Sequence, residues 1–285
     1  MNSPAPHPKT IIITGASDGI GLECASQLAP LGDNLVLVGR STAKLAAAVL
    51  RLKAEAPDTV VDTFACDYAS LADVRRLAAE LLAAYPRIDV LINNAGTVYD
   101  KRVLTVDGYE STFAVNHLAG FLLTEQLLDR IVASGSGRIV NTASVGHYRG
   151  TMDFTDLGFE RGYQIMRAYG RSKLANVLYT RNLATRLAGT GVTANCLHPG
   201  AVATNIWAGA PKLLKPVLGI AKRLMMISPA EGGATLTYLA TSSEVAGKSG
   251  GYYEKNTLKA PSDLATDEEI GRHLVEVSRT LVGLS

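Results

Sequence analysis

The chain has 285 residues, a formal net charge of +2 and 47% hydrophobic residues. This length suits a single α/β domain, and the hydrophobic content is enough for a large core, which excludes a globally disordered chain. The near-neutral charge gives no reason to expect a nucleic-acid partner, and no apolar run reaches the ~18 residues expected of an integral membrane segment. The first nine residues, MNSPAPHPK, lack an apolar stretch and predict a flexible tail at 1–9 rather than a signal peptide. Three isolated cysteines indicate buried thiols rather than disulfides or a metal site, so no metal is predicted and cytoplasm is the expected location.

Short apolar runs alternate with longer segments of helical period along the chain. Strands are predicted at Thr10–Thr14, Leu35–Val38, Val60–Ala65, Val90–Ile92, Arg138–Asn141, Thr193–Leu197 and Gly251–Tyr253. Helices are predicted at Ile20–Leu31, Thr42–Glu55, Leu71–Tyr85, Gly108–Arg130, Gln164–Ala188 and Ala230–Leu239. Strands that are apolar throughout are typical of a sheet covered on both faces, and repeated strand–helix–strand units imply parallel strands. We therefore predict one domain over residues 10–285, an α/β fold with a single doubly wound, mostly parallel seven-stranded sheet of Rossmann type and helices on both faces.

A glycine-rich turn follows the first strand and leads into the first helix. Gly15, Gly19 and Gly21 have the spacing GxxxGxG, with Ser17, Asp18 and Ile20 between them. Glycines allow a tight turn and close approach of the backbone to phosphate, and a helix N-terminus attracts anions. The same residues would also serve an ordinary turn, but their place between strand and helix favours a dinucleotide site.

The end of the second strand indicates which dinucleotide is bound. A fold that binds NAD usually has an acidic residue here for the ribose 2′-hydroxyl, and this chain has Gly39 followed by Arg40. A guanidinium suits a 2′-phosphate, with Lys44 as an assistant, so NADP(H) is favoured over NAD(H). Asp18 would oppose the phosphate if its carboxylate pointed inward, and Arg40 could also be a solvated surface residue.

Two further segments are predicted to contact the cofactor. Asp67, after the third strand, either accepts a hydrogen bond from the adenine amino group or caps the next helix. Asn94, Ala95 and Gly96, after the fourth strand, suit a backbone that runs beneath a ribose, although they would also form an ordinary turn.

Tyr169 and Lys173 lie four residues apart in a predicted helix, so both side chains can point into one site. We expect the ammonium to favour the phenolate and lower the pKa of Tyr169, which makes the phenol a usable proton donor and acceptor. Lys173 is also expected to bind the ribose, so Tyr169 and Lys173 are predicted to contact the cofactor as well. Ser144, after the fifth strand, is placed to hydrogen-bond a substrate oxygen as charge develops there. Each motif alone could arise by chance, but together with the glycine turn they predict proton chemistry beside a dinucleotide.

The order and spacing of these motifs resemble the short-chain dehydrogenase/reductase family from Thr10 to about Tyr253. The segments His147-Tyr148-Arg149-Gly150 and Ser172–Leu178, with His198-Pro199-Gly200, are similar to its retinol-dehydrogenase-like branch. The resemblance implies NADP(H)- or NAD(H)-dependent conversion of lipophilic alcohols, aldehydes and ketones.

The same resemblance implies roles for further residues. Asn116 would position a water that links Lys173 to solvent. Pro199, Gly200, Val202 and Thr204 would contact the cofactor, with Val202 at the carboxamide and Thr204 at the pyrophosphate. Family members usually pair through two long helices, here Gly108–Arg130 and Gln164–Ala188, so a homodimer or homotetramer is expected.

The segment at about 205–227 carries an apolar helix face and basic residues, which predicts a lid over a lipophilic substrate or, as an alternative, contact with an anionic membrane. The leading hypothesis is an NADP(H)-dependent oxidoreductase with a Ser-Tyr-Lys-Asn site. A catalytically idle dinucleotide-binding sensor or scaffold and a nucleotide-sugar epimerase or dehydratase are the alternatives. His117 and His147 are expected to be structural.

Overall fold

The computed structural model describes residues 7–200 and 228–284. The expected lid at 205–227 and the residues Val202 and Thr204 lie outside them, as does most of the tail. Lys9, which we assigned to the flexible tail, is bound at the amino ends of two inner strands: its N–H donates to Asp33 Oδ1 (2.9 Å) and its carbonyl accepts from Asn34 N (2.8 Å).

Eight strands form one sheet in the described residues, one more than predicted. They are β1 Thr10–Thr14, β2 Asn34–Gly39, β3 Val60–Ala65, β4 Val90–Asn93, β5 Arg138–Thr142, β6 Thr193–His198, β7 Tyr252–Glu254 and β8 Thr257–Lys259. Their order is β3-β2-β1-β4-β5-β6-β7-β8, and every neighbouring pair is parallel except β7 and β8. The predicted fold class is therefore confirmed.

The additional strand β8 forms a hairpin with β7 through a two-residue turn. Lys255 and Asn256 both have positive φ, 47° and 61°, as the two-residue hairpin turns that match strand twist require. Asparagine tolerates this conformation, but lysine rarely adopts it, so Lys255 gave no turn signal. All three residues of β8 are exposed, and the strand therefore lacks the apolar pattern on which our predictions relied.

The helices cover the sheet on both sides. They are α1 Gly19–Leu28, α2 Thr42–Glu55, α3 Leu71–Ala84, α4 Ala119–Val132, α5 Ile165–Arg186, α6 Pro229–Thr241 and α7 Glu268–Leu281. Ile11 and Ile13 of β1 pack with α1, α2 and α6, and Ile12 between them packs with α3, α4, α5 and α7. This alternation places one apolar cluster on each face of the sheet, as a doubly wound fold requires.

Strand β3 departs from the expectation that the strands are apolar throughout. It is the edge of the sheet, and Val60 is 52% exposed. Asp62 in its middle accepts a hydrogen bond from Tyr85 Oη at 2.6 Å. An edge strand needs less apolar surface, and a charge on it discourages pairing with another chain.

The helix predicted at Gly108–Arg130 begins later and is not uniform. A short α-turn at Ser111–Phe113 leads into a π-helical segment at Ala114–Leu118, and α4 follows. Glu110 sets the start, because its carboxylate accepts from Thr112 N (2.7 Å) and Phe113 N (2.8 Å). A π-helical turn inside a helix often marks a functional site.

Helix α7 was missed by the sequence analysis, although its signals are present. Asp267 caps its N-terminus by accepting from Ile270 N at 3.0 Å. Leu274, Val275 and Ser278 are buried on one side, at the spacing of an amphipathic helix. Among the described residues, no helix combines the length and apolar character needed to cross a bilayer.

Candidate active site

The residues singled out from the sequence gather at the carboxyl ends of β1, β4 and β5. Strand order reverses beside β1, which pairs with β2 on one side and β4 on the other. Connections leave such a point in opposite directions and open a crevice, which is where ligands bind in open α/β sheets.

The glycine turn fits closely against the end of β4. Gly15 has φ of +66°, and a Cβ built on it would lie 2.9 Å from Ala95 Cα. A Cβ on Gly21 would overlap the carbonyl oxygen of Gly15. Only glycine fits at either position, so the helix N-terminus and the β4 end form one wall.

Thr14, a residue that sequence reasoning passed over, joins these two segments. Its Oγ1 accepts from Asn94 N at 2.9 Å and from Ala95 N at 3.0 Å, and donates to Ile92 O at 3.2 Å. Asn94 Nδ2 donates back to Thr14 O at 3.0 Å. Thr14 is fully buried in an apolar strand, where a hydroxyl needs hydrogen-bond partners, and that was the only signal in the sequence.

These walls enclose a cleft of about 340 Å³. Its lining includes most of the predicted cofactor residues: Gly15, Ser17, Asp18, Gly19, Ile20, Arg40, Asp67, Asn94, Ala95 and Gly96. Val38, Gly39, Cys66, Tyr68, Thr97, Tyr99 and Val115 also line it. The predicted cofactor residues that are not in this lining are Lys44, Tyr169, Lys173, Pro199 and Gly200.

Lys44 is instead bound to Asp18 at the rim of the cleft. Its Nζ lies 2.9 Å from Asp18 Oδ2, and both side chains are more than half exposed. The Asp18 carboxylate also caps α1 by accepting from Gly19 N at 2.8 Å. This pairing offsets the negative charge that would oppose a phosphate nearby.

Our alternative role for Asp67, capping the next helix, is wrong. Ser70 caps α3 by accepting from Asp73 N at 3.2 Å. The Asp67 Oδ1 accepts from Ala69 N at 3.0 Å, which forms a local turn. The carboxylate is exposed on the cleft.

Tyr169 and Lys173 lie on one face of α5, as predicted. The ammonium is 5.7 Å from the centre of the phenol ring and donates to Thr142 O at 3.0 Å. Ser144 hydrogen-bonds the Tyr169 side chain. The serine Oγ also accepts from Gly146 N at 3.1 Å, which begins a 3₁₀ turn at Val145–Arg149.

The electrostatics of this pair differ from our expectation. Burial raises the pKa of Tyr169, and the hydrogen bond from Ser144 lowers it by less. Burial also lowers the pKa of Lys173 to about 8. The phenol loses hydration, and the causes that shift its pKa are burial and Ser144, not the charge of Lys173, so the predicted lowering of the phenol pKa is wrong for the protein alone.

Asn116 lies in the π-helical segment and links the β4 loop to α5. Its Oδ1 accepts from Thr97 N at 2.7 Å, and its Nδ2 donates to Thr97 O and Ser172 Oγ, each at 3.0 Å. A Cβ on Gly96 would lie 3.2 Å from Asn116 Oδ1 and 3.7 Å from Lys173 Nζ. The catalytic candidates therefore adjoin the end of the cleft that Gly96 lines.

Both histidines are structural, as expected. His147 Nδ1 donates to Ser144 O (2.7 Å) and its Nε2 accepts from Ser262 N (3.1 Å). His117 bonds Asn176 and Ser278. Burial lowers the pKa of each ring, so both are neutral at neutral pH.

Two contacts that sequence reasoning missed hold Ser144 and the following loop against α5. A Cβ on Gly150 would lie 2.5 Å from Gly170 O, so the 3₁₀ turn packs directly on the helix backbone. Arg171 donates to the carbonyls of Thr151 (3.0 Å), Leu157 (3.1 Å) and Asp156. Its position in the Tyr-x-x-x-Lys segment was visible in the sequence, but its burial was not.

Comparison with known proteins identifies the family. A family model for short chain dehydrogenase matches residues 9–212. Retinol dehydrogenase 13 of Homo sapiens is 41% identical over 281 residues, which cover 97% of this chain and 85% of the relative. The chain belongs to the short-chain dehydrogenase family. This confirms the predicted family, and the relatives confirm its retinol-dehydrogenase-like branch.

Solved structures agree with this short-chain dehydrogenase fold. A protein from Mycobacterium paratuberculosis is 30% identical, with a TM-score of 0.79 over 97% of this chain and 94% of the other. The short-chain dehydrogenase from Sphingobium yanoikuyae in complex with NADPH is 30% identical, with a TM-score of 0.64 over 80% of this chain and 82% of the other. As a short-chain dehydrogenase, the chain is an oxidoreductase of alcohol and carbonyl groups that uses a nicotinamide dinucleotide.

Proposed function

We propose that this short-chain dehydrogenase interconverts a lipophilic alcohol and its ketone or aldehyde with NADP(H). The observation that carries this proposal is the convergence of Ser144, Tyr169 and Lys173 at the Gly96 end of the cleft that the glycine turn lines. A binding protein has no use for a phenol hydrogen-bonded to a serine beside a buried amine. This argues against the idle sensor or scaffold.

The preference for NADP(H) rests on the end of β2. A Cβ on Gly39 would lie 2.9 Å from Ser17 Oγ and 3.2 Å from Leu45 Cδ2, so the acid of an NAD site would have to displace the Ser17 side chain. Arg40 is exposed at the cleft and supplies a guanidinium for a 2′-phosphate. The NADPH complex of the Sphingobium yanoikuyae relative supports the same cofactor.

The residues present also fit the rest of such a cofactor. Gly96 is exposed in the cleft lining, which leaves its backbone accessible to a ribose. Gly15 has no side chain and its turn packs closely on the end of β4, so the cleft beside it stays open to the phosphates. Reduced nicotinamide supplies the hydride when it is bound. Tyr169 and Ser144 lie at the end of the cleft where the carbonyl to be reduced would lie.

The roles of the side chains follow from their protonation. A phenol whose pKa is raised stays protonated at neutral pH, which is the form that donates a proton to the oxygen of a carbonyl being reduced. The Ser144 hydroxyl hydrogen-bonds that oxygen as negative charge develops on it. Lys173 then returns a proton toward Tyr169, since its pKa of about 8 leaves it mostly charged at neutral pH. Asn116 holds the adjoining loop and, we infer, a water that connects Lys173 to solvent.

A lipophilic substrate is favoured by the surface beside the reacting groups. Val145, next to Ser144, is 45% exposed, and Met166, one helical turn before Tyr169, is 55% exposed. Large apolar side chains exposed at a site indicate an apolar ligand. The relatives are named for retinol, which is an alcohol of this class.

The test follows NADPH absorbance with a panel of lipophilic ketones, aldehydes and steroid-like alcohols. Turnover should be detectable with NADPH and weaker with NADH. Tyr169→Phe should lower kcat by about 10²–10⁴-fold and leave NADPH affinity within about threefold, because the phenol acts on the substrate oxygen. Turnover retained in Tyr169→Phe, or none in the wild-type chain with any compound, would contradict the proposal.

A further inference from the structure

Asn176 is a buried residue of α5 that lies three residues after Lys173. Its Nδ2 donates to Thr142 O at 3.1 Å and to Asn116 O at 3.0 Å. Its Oδ1 lies 3.3 Å from His117 Nδ1. The Asn176 amide thus contacts the end of β5, the main chain of the π-helical segment and the imidazole ring of His117.

The Thr142 carbonyl connects Asn176 to the lysine. It accepts from Lys173 Nζ at 3.0 Å as well as from Asn176 Nδ2. A carbonyl oxygen has two lone pairs, so these two donors saturate it. The amide therefore fixes the orientation of the same acceptor that holds the ammonium.

The directions of these hydrogen bonds are determined. Both N–H groups of Asn176 point at carbonyls, which can only accept, so Oδ1 must accept from His117 Nδ1–H. His117 Nε2 then accepts from Ser278 Oγ of α7 at 2.9 Å. Burial lowers the pKa of His117 to about 4, so the ring is neutral and this tautomer persists at neutral pH.

We propose that Asn176 is a positioning residue that holds the amine of Lys173 and the main chain of Asn116 in register through the Thr142 carbonyl. This role rests on the proposed function of the same site. Asn176 itself does not touch the reacting groups. An aspartate would have the same shape but would place a carboxylate oxygen against two carbonyl oxygens, so the amide nitrogen is required.

Asn141 provides a matched control. It is also buried, one residue before Thr142 on β5. Its Nδ2 donates to Thr180 Oγ1 at 2.9 Å and its Oδ1 accepts from Asn93 Nδ2 at 2.9 Å. Asn141→Ala therefore removes a comparable buried amide from the same layer without removing a donor at the acceptor of Lys173.

The first measurement needs no cofactor. Trace acetylation of Lys173 in the free protein is followed against pH by mass spectrometry of its peptide. The midpoint should be about 8 in the wild type, in accord with the lowered pKa of the buried amine. In Asn176→Ala it should rise by about one pH unit or more, because the amine is released toward water. In Asn141→Ala it should not move, although the melting temperature should fall by a similar amount.

Tyr169 and His198 are the titratable side chains that interact with Lys173 among the residues described. Burial lowers the pKa of His198 and raises that of Tyr169. Neither group therefore changes charge near pH 8, and the midpoint reports on the amine.

The second measurement is turnover. Asn176→Ala and Asn176→Asp should each lower kcat about tenfold or more while the KM of the carbonyl substrate changes less than about twofold. A residue that only filled space would tolerate the aspartate, so wild-type kcat in Asn176→Asp overturns the proposal. An unchanged acetylation midpoint in Asn176→Ala, or an equal shift in Asn141→Ala, overturns it as well.

If Asn176→Ala does not fold, Asn176→Ser is measured in the same way and should give the same direction of change, because one short hydroxyl cannot reach both carbonyls. A wild-type chain that turns over no compound refutes the proposed function instead. The acetylation midpoints then still decide the role of Asn176.

Discussion

The cofactor end of the cleft and its catalytic end are built from different kinds of contact. At the cofactor end, Gly15 packs against Ala95 through the main chain, and the charged groups, such as Asp18 and Lys44, are exposed. At the catalytic end, the side chains of Lys173 and Asn176 are buried and joined by hydrogen bonds. A charge buried at the catalytic end costs much free energy of folding, whereas a charge at the exposed rim costs little.

The two ends also differ in how much of the chain they need. At the cofactor end, the glycine turn and the end of β2 lie within about thirty residues of each other, and the end of the neighbouring strand β4 completes the wall. The catalytic end draws on β5, the π-helical segment, α5 and, through Ser278, the C-terminal helix. Substitutions at one end should therefore change the function of that end and leave the function of the other end measurable.

Among substitutions outside the reacting side chains, the largest effect on turnover is expected where the 3₁₀ turn meets α5. Gly150→Ala places a Cβ 2.5 Å from Gly170 O, so the 3₁₀ turn that Ser144 caps must shift relative to α5. We expect kcat to fall about 10–100-fold with NADPH affinity nearly unchanged. Gly158→Ala in the next loop is the control, since its nearest neighbour would be Arg102 Nη2 at 3.6 Å, an ordinary contact. Steady-state kinetics of both variants measures kcat. Equal losses of kcat in Gly150→Ala and Gly158→Ala would show that the contact with α5 is not what supports turnover.

A substitution at the cofactor end should have the opposite profile. Gly39→Asp introduces a carboxylate beside Arg40 and a Cβ 2.9 Å from Ser17 Oγ. NADPH should bind about tenfold or more weakly, a loss of about 1.4 kcal/mol or more, as measured by fluorescence titration. The double substitution Gly39→Asp with Ser17→Gly restores room and should favour NADH over NADPH. NADPH binding at wild-type strength in the single variant would show that β2 does not select the cofactor.

The buried amine of Lys173 should destabilise the fold at neutral pH. Burial lowers its pKa from 10.5 to about 8. Below pH 8 the folded chain carries a charge that the unfolded chain hydrates, so the full cost is present there. As pH rises from 8 to 10.5 the unfolded chain binds more protons, and wild-type stability rises relative to a neutral variant.

Lys173→Met should therefore be inactive yet more stable than the wild type by roughly 2 kcal/mol at pH 7. The gain should shrink above pH 8 and vanish near pH 10.5. Urea unfolding of both proteins at several pH values measures the difference. A variant less stable than the wild type at pH 7 would mean that the hydrogen bond to Thr142 outweighs the burial of the charge.

The exposed pair at the cofactor end should contribute far less. Lys44 and Asp18 are more than half exposed, so Lys44→Ala should change the free energy of unfolding by less than about 0.5 kcal/mol. The same urea experiment at pH 7 tests this. A loss above about 1.5 kcal/mol would show that the rim is not the weakly coupled surface that its exposure indicates.

The smallest expected effect is that of protein concentration on the oligomeric state, measured as the molecular mass in solution. The family resemblance implies pairing through the two long helices, but Gly170–Thr180 of α5 is buried throughout within one chain. Helix α7 packs there, with Gly271 close to Leu178 O, and Arg279 of α7 lies 3.2 Å from Glu125 of α4. We expect light scattering to give the mass of one chain at every concentration. A stable dimer would require a surface other than the face that α7 covers.

Much of the cofactor end was predictable, because its chemistry is local in the sequence. The strand, the turn and the helix of the glycine motif are contiguous in the sequence. Gly15 and Arg40 each come directly after a strand, and that strand determines their position. Tyr169 and Lys173 could be paired from their spacing alone, since one helical turn brings them to one face. The pKa of the phenol could not be predicted, because it depends on burial rather than spacing.

The sequence by itself determined the parallel sheet, the position of the cleft and the pair of reacting side chains, because strand order and helical period act over short separations. Only the tertiary structure decided that Asn176, Thr142, His117 and Ser278 form one chain of hydrogen bonds, and that Gly150 touches Gly170. Those contacts join residues up to 161 positions apart. A buried polar group needs a partner wherever the fold brings one, and that partner leaves no pattern in the neighbouring sequence.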